Sequence, residues 1–430
     1  MAIPNVPTSK SVEVPRSTYG GALVVVTTLF FMWGFLTCLN DILVPHLKPI
    51  FDLNYAQVML IQFAFFSAYF FFSIPAGKVI DWIGYKRTMV AGLLTMGLGA
   101  LLFIPAASVP SFPLFLTALM VLATGITALQ VAANPYVAVL GSAKTASSRL
   151  NLTQAFNSLG TTIAPYFGSL LILSGAAMSL GEIRQMSPDA LHAYRLHEAS
   201  SVKLPYLGIS LALIALATVI GSVKLPPMTT AEHHGATSAV QTSIWKYRHL
   251  ILGAIAIFVY VGAEVSIGSF LVNYFTQANI GNLSAAAAAK LVSVYWGGAM
   301  VGRFIGSAIL RKVRTGTVLG IAAIVACLLV VTSMLSSGHV AMVSILLVGL
   351  FNSVMFPSIF TLGIAELGPL TGDASGLLNT AIVGGAIIPV LEGALADRIG
   401  LHHAFILPAV CYLYILYYAL KGSRPVAAAA

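Results

Sequence analysis

Long apolar runs alternate with short polar stretches along nearly the whole chain. A helix needs about 20 mostly apolar residues to cross the hydrocarbon core of a bilayer, and we find twelve candidate runs. These runs, numbered helix 1 to helix 12, lie at residues 22–45, 56–80, 88–107, 111–139, 151–174, 203–222, 249–275, 289–310, 317–335, 340–363, 374–396 and 401–420. The pattern predicts an all-α polytopic membrane protein with twelve transmembrane helices.

The amino-acid composition favours the same class. Of the 430 residues, 58% are hydrophobic and 8% are charged, whereas a soluble domain carries about 25% charged residues. A soluble enzyme is therefore a poor interpretation. A nucleic-acid-binding protein is equally poor, because the net charge of +9 comes mainly from short loops between apolar runs. The sequence contains no zinc-protease or nucleophile-elbow motif, so we expect no enzymatic activity, no metal site and no cofactor.

A polar stretch in the middle of the chain divides the apolar runs six and six. We expect a cytoplasmic N-terminal segment, a first six-helix bundle, a cytoplasmic linker, a second six-helix bundle and a C-terminal tail, at residues 1–21, 22–222, 223–248, 249–420 and 421–430. With the N-terminus in the cytoplasm, 15 of the 22 Lys and Arg residues lie on the cytoplasmic side. Positively charged loops favour that side, so both termini are predicted to be cytoplasmic.

The two halves of the chain repeat a pattern of glycine and proline. The matching positions are Pro135 and Gly141 with Pro357 and Gly363, Gly160 and Pro165 with Gly384 and Pro389, and Gly77 with Gly306. Each match alone is weak, since Gly and Pro are common in membrane helices. Three matches in the same order indicate two related six-helix halves, which is typical of transporters with a substrate site near mid-membrane.

A specific loop motif follows helix 2. It reads G-x3-D-x2-G-x-K-R and is formed by Gly77, Asp81, Gly84, Lys86 and Arg87. The glycines allow close approach and a tight turn, while the aspartate can accept hydrogen bonds from a helix N-terminus or pair with a basic residue. The spacing resembles the hallmark loop of the major facilitator superfamily. A partial copy, G-x3-D-x2-G at residues 393–400, is left unexplained by the pattern.

Four further segments narrow the resemblance. They are MWGFLTCLNDIL at 32–43, QVAANPY at 130–136, RLNLTQ at 149–154 and YVGAEVSIGSF at 260–270. Together they resemble the fucose–galactose–glucose:proton symporter family within that superfamily. The resemblance implies the twelve-helix major facilitator fold in a bacterial inner membrane. It also implies import of a monosaccharide by symport with a cation, H+ in the first place, by a protein that works as a monomer with the bilayer and the sugar as its partners.

Two acidic residues are the candidates for ion coupling. A charged group at mid-bilayer costs about 2.5–3.5 kcal/mol even on the lenient scale, so Asp41 and Glu264 should face a cavity or a partner. The resemblance implies that Asp41, late in helix 1, takes part in proton coupling; alternatively it is a helix-end acid paired with Lys48. Fucose-transporting members carry a glutamate where this chain has Gln130, an amide that cannot carry a proton. That departure favours a glucose- or galactose-like or amino sugar.

Polar side chains inside apolar helices are the candidates for sugar binding, because an unmet amide in lipid costs several kcal/mol. These candidates are Asn40, Gln130, Asn134, Asn151, Gln154, Glu264, Asn273, Asn352 and Asn379, with Trp296 as a stacking surface. The alternative is that such residues join helices to one another. Arg303 and Glu366 are interpreted as a gate ion pair or as separate interfacial charges.

Two other transport functions stay open at this stage. Sodium can replace the proton, since carboxylate and amide oxygens suit a hard cation. Proton-driven efflux of small amphipathic compounds is the other alternative, although a mainly apolar pocket would be expected for it. The many amides in the helices favour a sugar.

Overall fold

The computed structural model of the chain describes residues 16–51, 55–108, 111–171, 186–200, 203–226 and 243–425. Within these ranges the chain folds into helices and contains no β-strand. Helix 1 is Arg16–Phe51, helices 2 and 3 are the two parts of Tyr55–Ser108, helix 4 is Phe112–Val139, helix 5 is Ala146–Leu171 and helix 6 is Lys203–Ser222. Helix 7 is Arg248–Phe275, helix 8 is Ala285–Ile309 and helix 9 is Thr315–Leu335. Helix 10 comprises Gly338–Asn352 and Met355–Gly363, helix 11 comprises Thr371–Thr380 and Gly384–Ile399, and helix 12 comprises Leu401–Ala404, Ile406–Tyr417 and the π turn Tyr418–Gly422.

The twelve predicted helices are confirmed, with shifted ends. Eight stretches of the described residues are long and apolar enough to cross a membrane, and one of them, Phe63–Ser108, holds both helix 2 and helix 3. A further helix, Pro188–Ser200, lies between helices 5 and 6. Hydropathy missed it because its sequence is mostly polar. Much of the predicted terminal segments and linker, at 1–15, 227–242 and 426–430, lies outside the described residues.

Breaks in the helices follow from glycine and proline. A single residue, Gly84, separates helix 2 from helix 3, and its φ of 80° is in the region that favours glycine. Helix 10 breaks at residues 353–354, directly after Asn352. Pro357 explains this break, because a proline clashes with the carbonyl four residues before it and offers that carbonyl no N–H.

Pro135 in helix 4 has a different consequence. It leaves the Val131 carbonyl without its helical donor. The Ser375 hydroxyl of helix 11 donates to this carbonyl at 2.8 Å. The proline thereby creates a hydrogen bond that joins the N-terminal half to the C-terminal half.

The sequence repeat appears in the packing. Gly160 of helix 5 lies against the backbone of helix 1 at Phe31 and Phe35. Gly384 of helix 11 lies in the equivalent way against the backbone of helix 7 at Phe258. A side chain at either glycine would overlap the neighbouring backbone, so the repeated glycines set equivalent helix contacts in the two halves.

Helices 2 and 11 form one seam between the halves. We call the end of the bundle that carries the signature loop the loop end, and the opposite end the far end. The facing pairs are Gly77 with Gly372, Gly376 with Ser73, and Gly385 with Phe66. At Gly77, Gly376 and Gly385 an added Cβ would lie 2.9 Å from the partner, so small residues allow the two helices to approach this closely.

Helices 5 and 8 form a second seam, which is polar. The Ser148 hydroxyl donates to the Ser307 carbonyl at 2.7 Å, and the Ser307 hydroxyl donates back to the Ser148 carbonyl at 3.1 Å. The Asn151 amide donates to the Arg303 carbonyl at 2.6 Å. Both seams start at the loop end, so the two halves are in contact there.

The signature loop completes the contact at the loop end. Asp81 lies beside Gly372 at the start of helix 11, its Oδ1 being 3.3 Å from where a Cβ on that glycine would lie. Lys78 forms an ion pair with Asp373 at 3.2 Å. A carboxylate is favourable at a helix N-terminus, whereas Asp373 in the same turn repels Asp81 and Lys78 attracts it.

Candidate functional site

A polar cluster in the N-terminal half joins helices 1, 2 and 4. It consists of Trp33, Tyr69 and Gln130, and we call it the N-terminal cluster. The Gln130 amide donates to the Tyr69 hydroxyl at 2.7 Å, and the Trp33 side chain also hydrogen-bonds that hydroxyl. Gln130 is 2% exposed, and its Oε1 has no partner among the described residues.

Asn134 lies one helical turn from Gln130 on helix 4. It is fully buried, and neither its Oδ1 nor its Nδ2 has a partner among the described residues. Leaving a buried polar group unsatisfied costs about 1–3 kcal/mol. A ligand that offers hydroxyl groups would recover part of that cost.

A second cluster, in the C-terminal half, joins helices 7, 8 and 10. It consists of Tyr260, Glu264, Tyr295 and Asn352, and we call it the C-terminal cluster. The Tyr260 hydroxyl donates to the Asn352 carbonyl at 3.1 Å, and the Asn352 amide donates to the Tyr295 hydroxyl at 2.9 Å. The Glu264 Oε1 and the Asn352 Oδ1 have no partner in the described part of the chain.

Arg303 of helix 8 connects the C-terminal cluster to the other half. Its Nη1 donates to the Ser158 hydroxyl and to the Gln154 carbonyl of helix 5. Its charge also interacts with the Glu264 carboxyl, although the two form no ion pair. The Arg303 Nε and the Gln154 Nε2 are buried without partners among the described residues. One cation thus lies between a buried acid and the opposite half.

The structure contradicts the predicted gate pair. Arg303 points to helix 5, whereas Glu366 follows helix 10, is exposed and adopts a φ of 61°. The carbonyl of the preceding residue, Ala365, contacts His249 at the start of helix 7. The interpretation that paired Arg303 with Glu366 was wrong, because helix assignments do not give the direction in which a side chain leaves its helix.

Several predicted binding residues lie outside both clusters. Asn151 is part of the helix 5–8 seam. Asn379 donates to the Ser375 carbonyl one turn back in its own helix. Asn273 is exposed near the end of helix 7, nine residues from Glu264, which is about 13 Å along a helix. Trp296 packs beside Gly268 and is 40% exposed.

The candidate coupling residue of helix 1 is described only through its backbone. Asn40 and Asp41 belong to Arg16–Phe51, and their side chains lie outside the described part of the structure. Their proposed roles therefore stay predictions from the sequence and its resemblance.

Sequence reasoning missed the tyrosines and one acid. Tyr69, Tyr260 and Tyr295 are buried, but in a sequence a tyrosine of this kind cannot be told from one at the membrane interface. Glu392 was assigned no role; it is fully buried and accepts a hydrogen bond from Ser266 of helix 7. A carboxyl in an apolar run was the available signal for that residue.

The arrangement can bind a molecule that is rich in hydroxyl groups. Buried acceptors, donors and amides with unused hydrogen-bonding capacity occur in both halves, and Arg303 links the halves between them. Buried polar groups are normally paired. Among the described residues, these unpaired groups therefore mark the candidate site for a ligand.

Comparison with known proteins supports a transport function for proteins of this kind. The family model "Major Facilitator Superfamily" matches residues 22–388. A "Glucose/galactose transporter" of Brucella abortus biovar 1 (strain 9-941) is 52% identical over 98% of this chain and 99% of its own length. An "L-fucose-proton symporter" of Escherichia coli (strain K12) is 35% identical over 93% of this chain and 92% of its own length.

A solved structure extends the likeness to the fold. The crystal structure of the major facilitator transporter FucP in the outward conformation matches with a TM-score of 0.86 and 34% identity. The match covers 94% of this chain and 98% of that chain. The fold and the sequence thus resemble the same group of proteins over nearly their whole length.

Proposed function

Because this chain belongs to the Major Facilitator Superfamily, we propose that it is a secondary active transporter that imports a monosaccharide together with a proton by alternating access. Glucose and galactose are the first candidate substrates, since the relative with 52% identity is named a glucose/galactose transporter. The proton is the first candidate ion, since the relative with 35% identity is named a proton symporter. The single observation that carries the proposal is the set of buried polar atoms in both halves that have no partner among the residues the structure describes.

The two clusters divide the work of sugar binding. Gln130 and Asn134 offer amide groups from the N-terminal half, and Glu264 and Asn352 offer oxygen acceptors from the C-terminal half. A sugar that contacts both clusters makes bonds to the two halves at once. Its binding energy is then available to change how the halves sit against each other.

Asp41 is proposed as the proton carrier. Glu264 is proposed to bind the sugar instead, since its Oε1 has no partner among the described residues and can accept hydrogen bonds from sugar hydroxyls. Gln130 cannot take up a proton. Asp41 then binds the proton with the sugar on the outer side and releases it on the inner side.

The loop end is proposed to face the cytoplasm of a bacterial inner membrane. Lys78, Lys86 and Arg87 lie there, which agrees with the preference of basic loops for that side. With this orientation, the contacts at the loop end correspond to closure of the cytoplasmic side. The similar structure of FucP is in the outward conformation, which supports the proposal that the closed loop end is the cytoplasmic side.

Replacing Asp41 by Asn tests the division between coupling and binding. In proteoliposomes with an inward proton gradient, Asp41→Asn should lose uphill accumulation of the sugar but retain exchange of labelled for unlabelled sugar. Gln130→Ala is the matched variant, and it should weaken both, because it removes a group proposed to bind the sugar. Full accumulation by Asp41→Asn would contradict the assignment of the proton carrier.

A further inference from the structure

Glu392 is a buried acid that the proposed transport cycle does not use. It lies on helix 11, nearer the far end than the loop end, and is 0% exposed. Its Oε2 accepts a hydrogen bond from the Ser266 hydroxyl of helix 7, and its Oε1 has no partner among the described residues. An ionised carboxylate has about four acceptor sites, so one hydroxyl donor leaves most of them unused.

The acid and its serine continue a regular contact between helices 7 and 11. The first two steps of this contact are Gly384 against the Phe258 backbone and Ile388 against Gly262. Each step advances four residues on both helices, and the acid with its serine is the third step. The carboxyl is therefore held on the face of helix 11 that packs against helix 7.

The repeated helix contact does not require an acid at this place. The repeat equates Gly384 of helix 11 with Gly160 of helix 5, and by the same spacing it equates Glu392 with Gly168. Both Gly384 and Gly160 lie against a neighbouring backbone, but only the C-terminal half has a carboxyl eight residues later. The buried acid is thus a separate feature of that half.

No basic side chain of the C-terminal half balances the charge that an ionised Glu392 would carry. Every Lys and Arg of that half lies within the described residues, and none forms an ion pair with this acid. The titratable groups on which its charge acts are Tyr295 of helix 8 and Cys411 of helix 12, and neither can be positive. Helix 2 contributes an apolar contact to helix 11, Phe66 against Gly385. A buried charge without a compensating partner is strongly destabilising, so this place favours a carboxyl with a proton bound.

The tyrosine beside this acid belongs to the C-terminal cluster. The charges of Glu392 and Glu264 both act on Tyr295. The Tyr295 hydroxyl donates to the Glu264 carbonyl at 3.4 Å and accepts a hydrogen bond from the Asn352 amide at 2.9 Å. A negative charge at Glu392 would attract that hydroxyl hydrogen. The charge state of the acid therefore affects groups that are proposed to bind the sugar.

We propose that Glu392 is a second proton-binding site, and that its bound proton keeps the C-terminal cluster in the arrangement that binds sugar. The inference rests on the proposed function. The proton stays on the carboxyl through the transport cycle at neutral pH, so it is distinct from the coupling proton assigned to Asp41. Loss of this proton at alkaline pH leaves a buried carboxylate near Tyr295 and weakens sugar binding.

Thermal unfolding tests the proton site without any sugar. A folded state that holds a proton which the unfolded chain releases loses stability as the pH rises. Glu392→Gln resembles the protonated acid, so its unfolding midpoint relative to the wild type should rise by about 3 °C between about pH 5 and about pH 8. Asp397→Asn makes the same change from carboxyl to amide at an exposed position of helix 11, and its difference from the wild type should stay constant.

A constant difference between Glu392→Gln and the wild type over this pH range would overturn the proton site. Should Glu392→Gln fail to fold, Glu392→Met takes its place, because methionine is uncharged and adapts to irregular buried space. Its midpoint relative to the wild type should rise with pH in the same way.

Equilibrium binding of labelled glucose and galactose tests the link to the sugar site. The measurement uses the Asp41→Asn background, so that the proposed proton carrier does not titrate. From about pH 6 to about pH 9, the dissociation constant should rise about tenfold in this background and less than about twofold when Glu392→Gln is added. The same rise with and without Glu392→Gln would overturn the link, as would loss of binding at every pH in a folded Glu392→Gln protein.

The two measurements separate this inference from the proposed function. If the difference in unfolding midpoint rises with pH while the wild type binds no sugar at any pH, the proton site stands and the proposed function fails. If the wild type accumulates sugar while the difference in midpoint stays constant, the proposed function stands and the proton site fails.

Discussion

The two seams between the halves contain different kinds of contact. The helix 2–11 seam brings glycines against backbone and an aromatic ring, and its ion pair, Lys78–Asp373, lies at the exposed edge. The helix 5–8 seam consists of buried and partly buried hydrogen bonds, and it contains Arg303, whose charge interacts with Glu264. The small residues of the first seam therefore determine how closely helices 2 and 11 can approach. The second is connected to the C-terminal cluster, so it can respond to what that cluster binds.

Removing the charge from the helix 5–8 seam should have the largest effect. Arg303→Met leaves Glu264 without a facing cation and removes the bonds to Ser158 and Gln154. A hydrogen bond to a charged group contributes about 1.5–3 kcal/mol, and with these bonds lost we expect sugar exchange to fall roughly 100-fold.

Arg303→Lys is the control for that variant. It keeps the charge but loses the planar group that reaches two acceptors, so its exchange rate should lie between those of the wild type and Arg303→Met. Equal rates for the wild type and Arg303→Met would show that the polar seam is not connected to transport.

Enlarging a glycine in the helix 2–11 seam should have an intermediate effect. A Cβ at Gly376 would lie 2.9 Å from the Ser73 carbonyl oxygen, and backbone cannot move aside as a side chain can. Gly376→Val should therefore disfavour closure of the loop end by about 1–3 kcal/mol. The expected result is weaker sugar binding from the outer side, measured as a higher half-saturation concentration for uptake, with Gly208→Val as the unaffected control. Unchanged uptake would mean that closure of the loop end does not require the close contact at Gly376.

Breaking the ion pair at the edge of the same seam should have the smallest effect. Lys78 is 56% exposed in the pair with Asp373, and exposed pairs contribute about 0–1 kcal/mol. Lys78→Ala should change the uptake rate less than about threefold, and the change should shrink as salt is raised. A loss of transport as large as that in Arg303→Met would contradict the smaller contribution assigned to this ion pair.

Much of the fold could be predicted from the sequence. Apolar runs of membrane length predicted the helices, and the repeated glycines at Gly160 and Gly384 predicted two equivalent halves. Gly84 was correctly interpreted as a tight turn, since glycine tolerates a positive φ. The short helix Pro188–Ser200 was missed because it is polar.

The candidate site was only partly predictable. An amide or acid in an apolar helix has to face the interior, which is why Gln130, Asn134 and Glu264 could be selected one by one. Which residues meet depends on how helices from different parts of the chain cross, and one sequence does not contain that geometry. Arg303 therefore had the wrong partner assigned, and the tyrosines that complete the clusters were not selected.

The most direct test of the central claim is uptake of labelled glucose and galactose into proteoliposomes that contain the purified protein. A pH gradient, acid outside, and a sodium gradient are imposed in separate experiments, and other monosaccharides are added as competitors. We predict accumulation above the external concentration under the pH gradient and competition by related sugars. Accumulation under the sodium gradient alone would contradict proton coupling, and no uptake of any monosaccharide under either gradient would contradict sugar import itself.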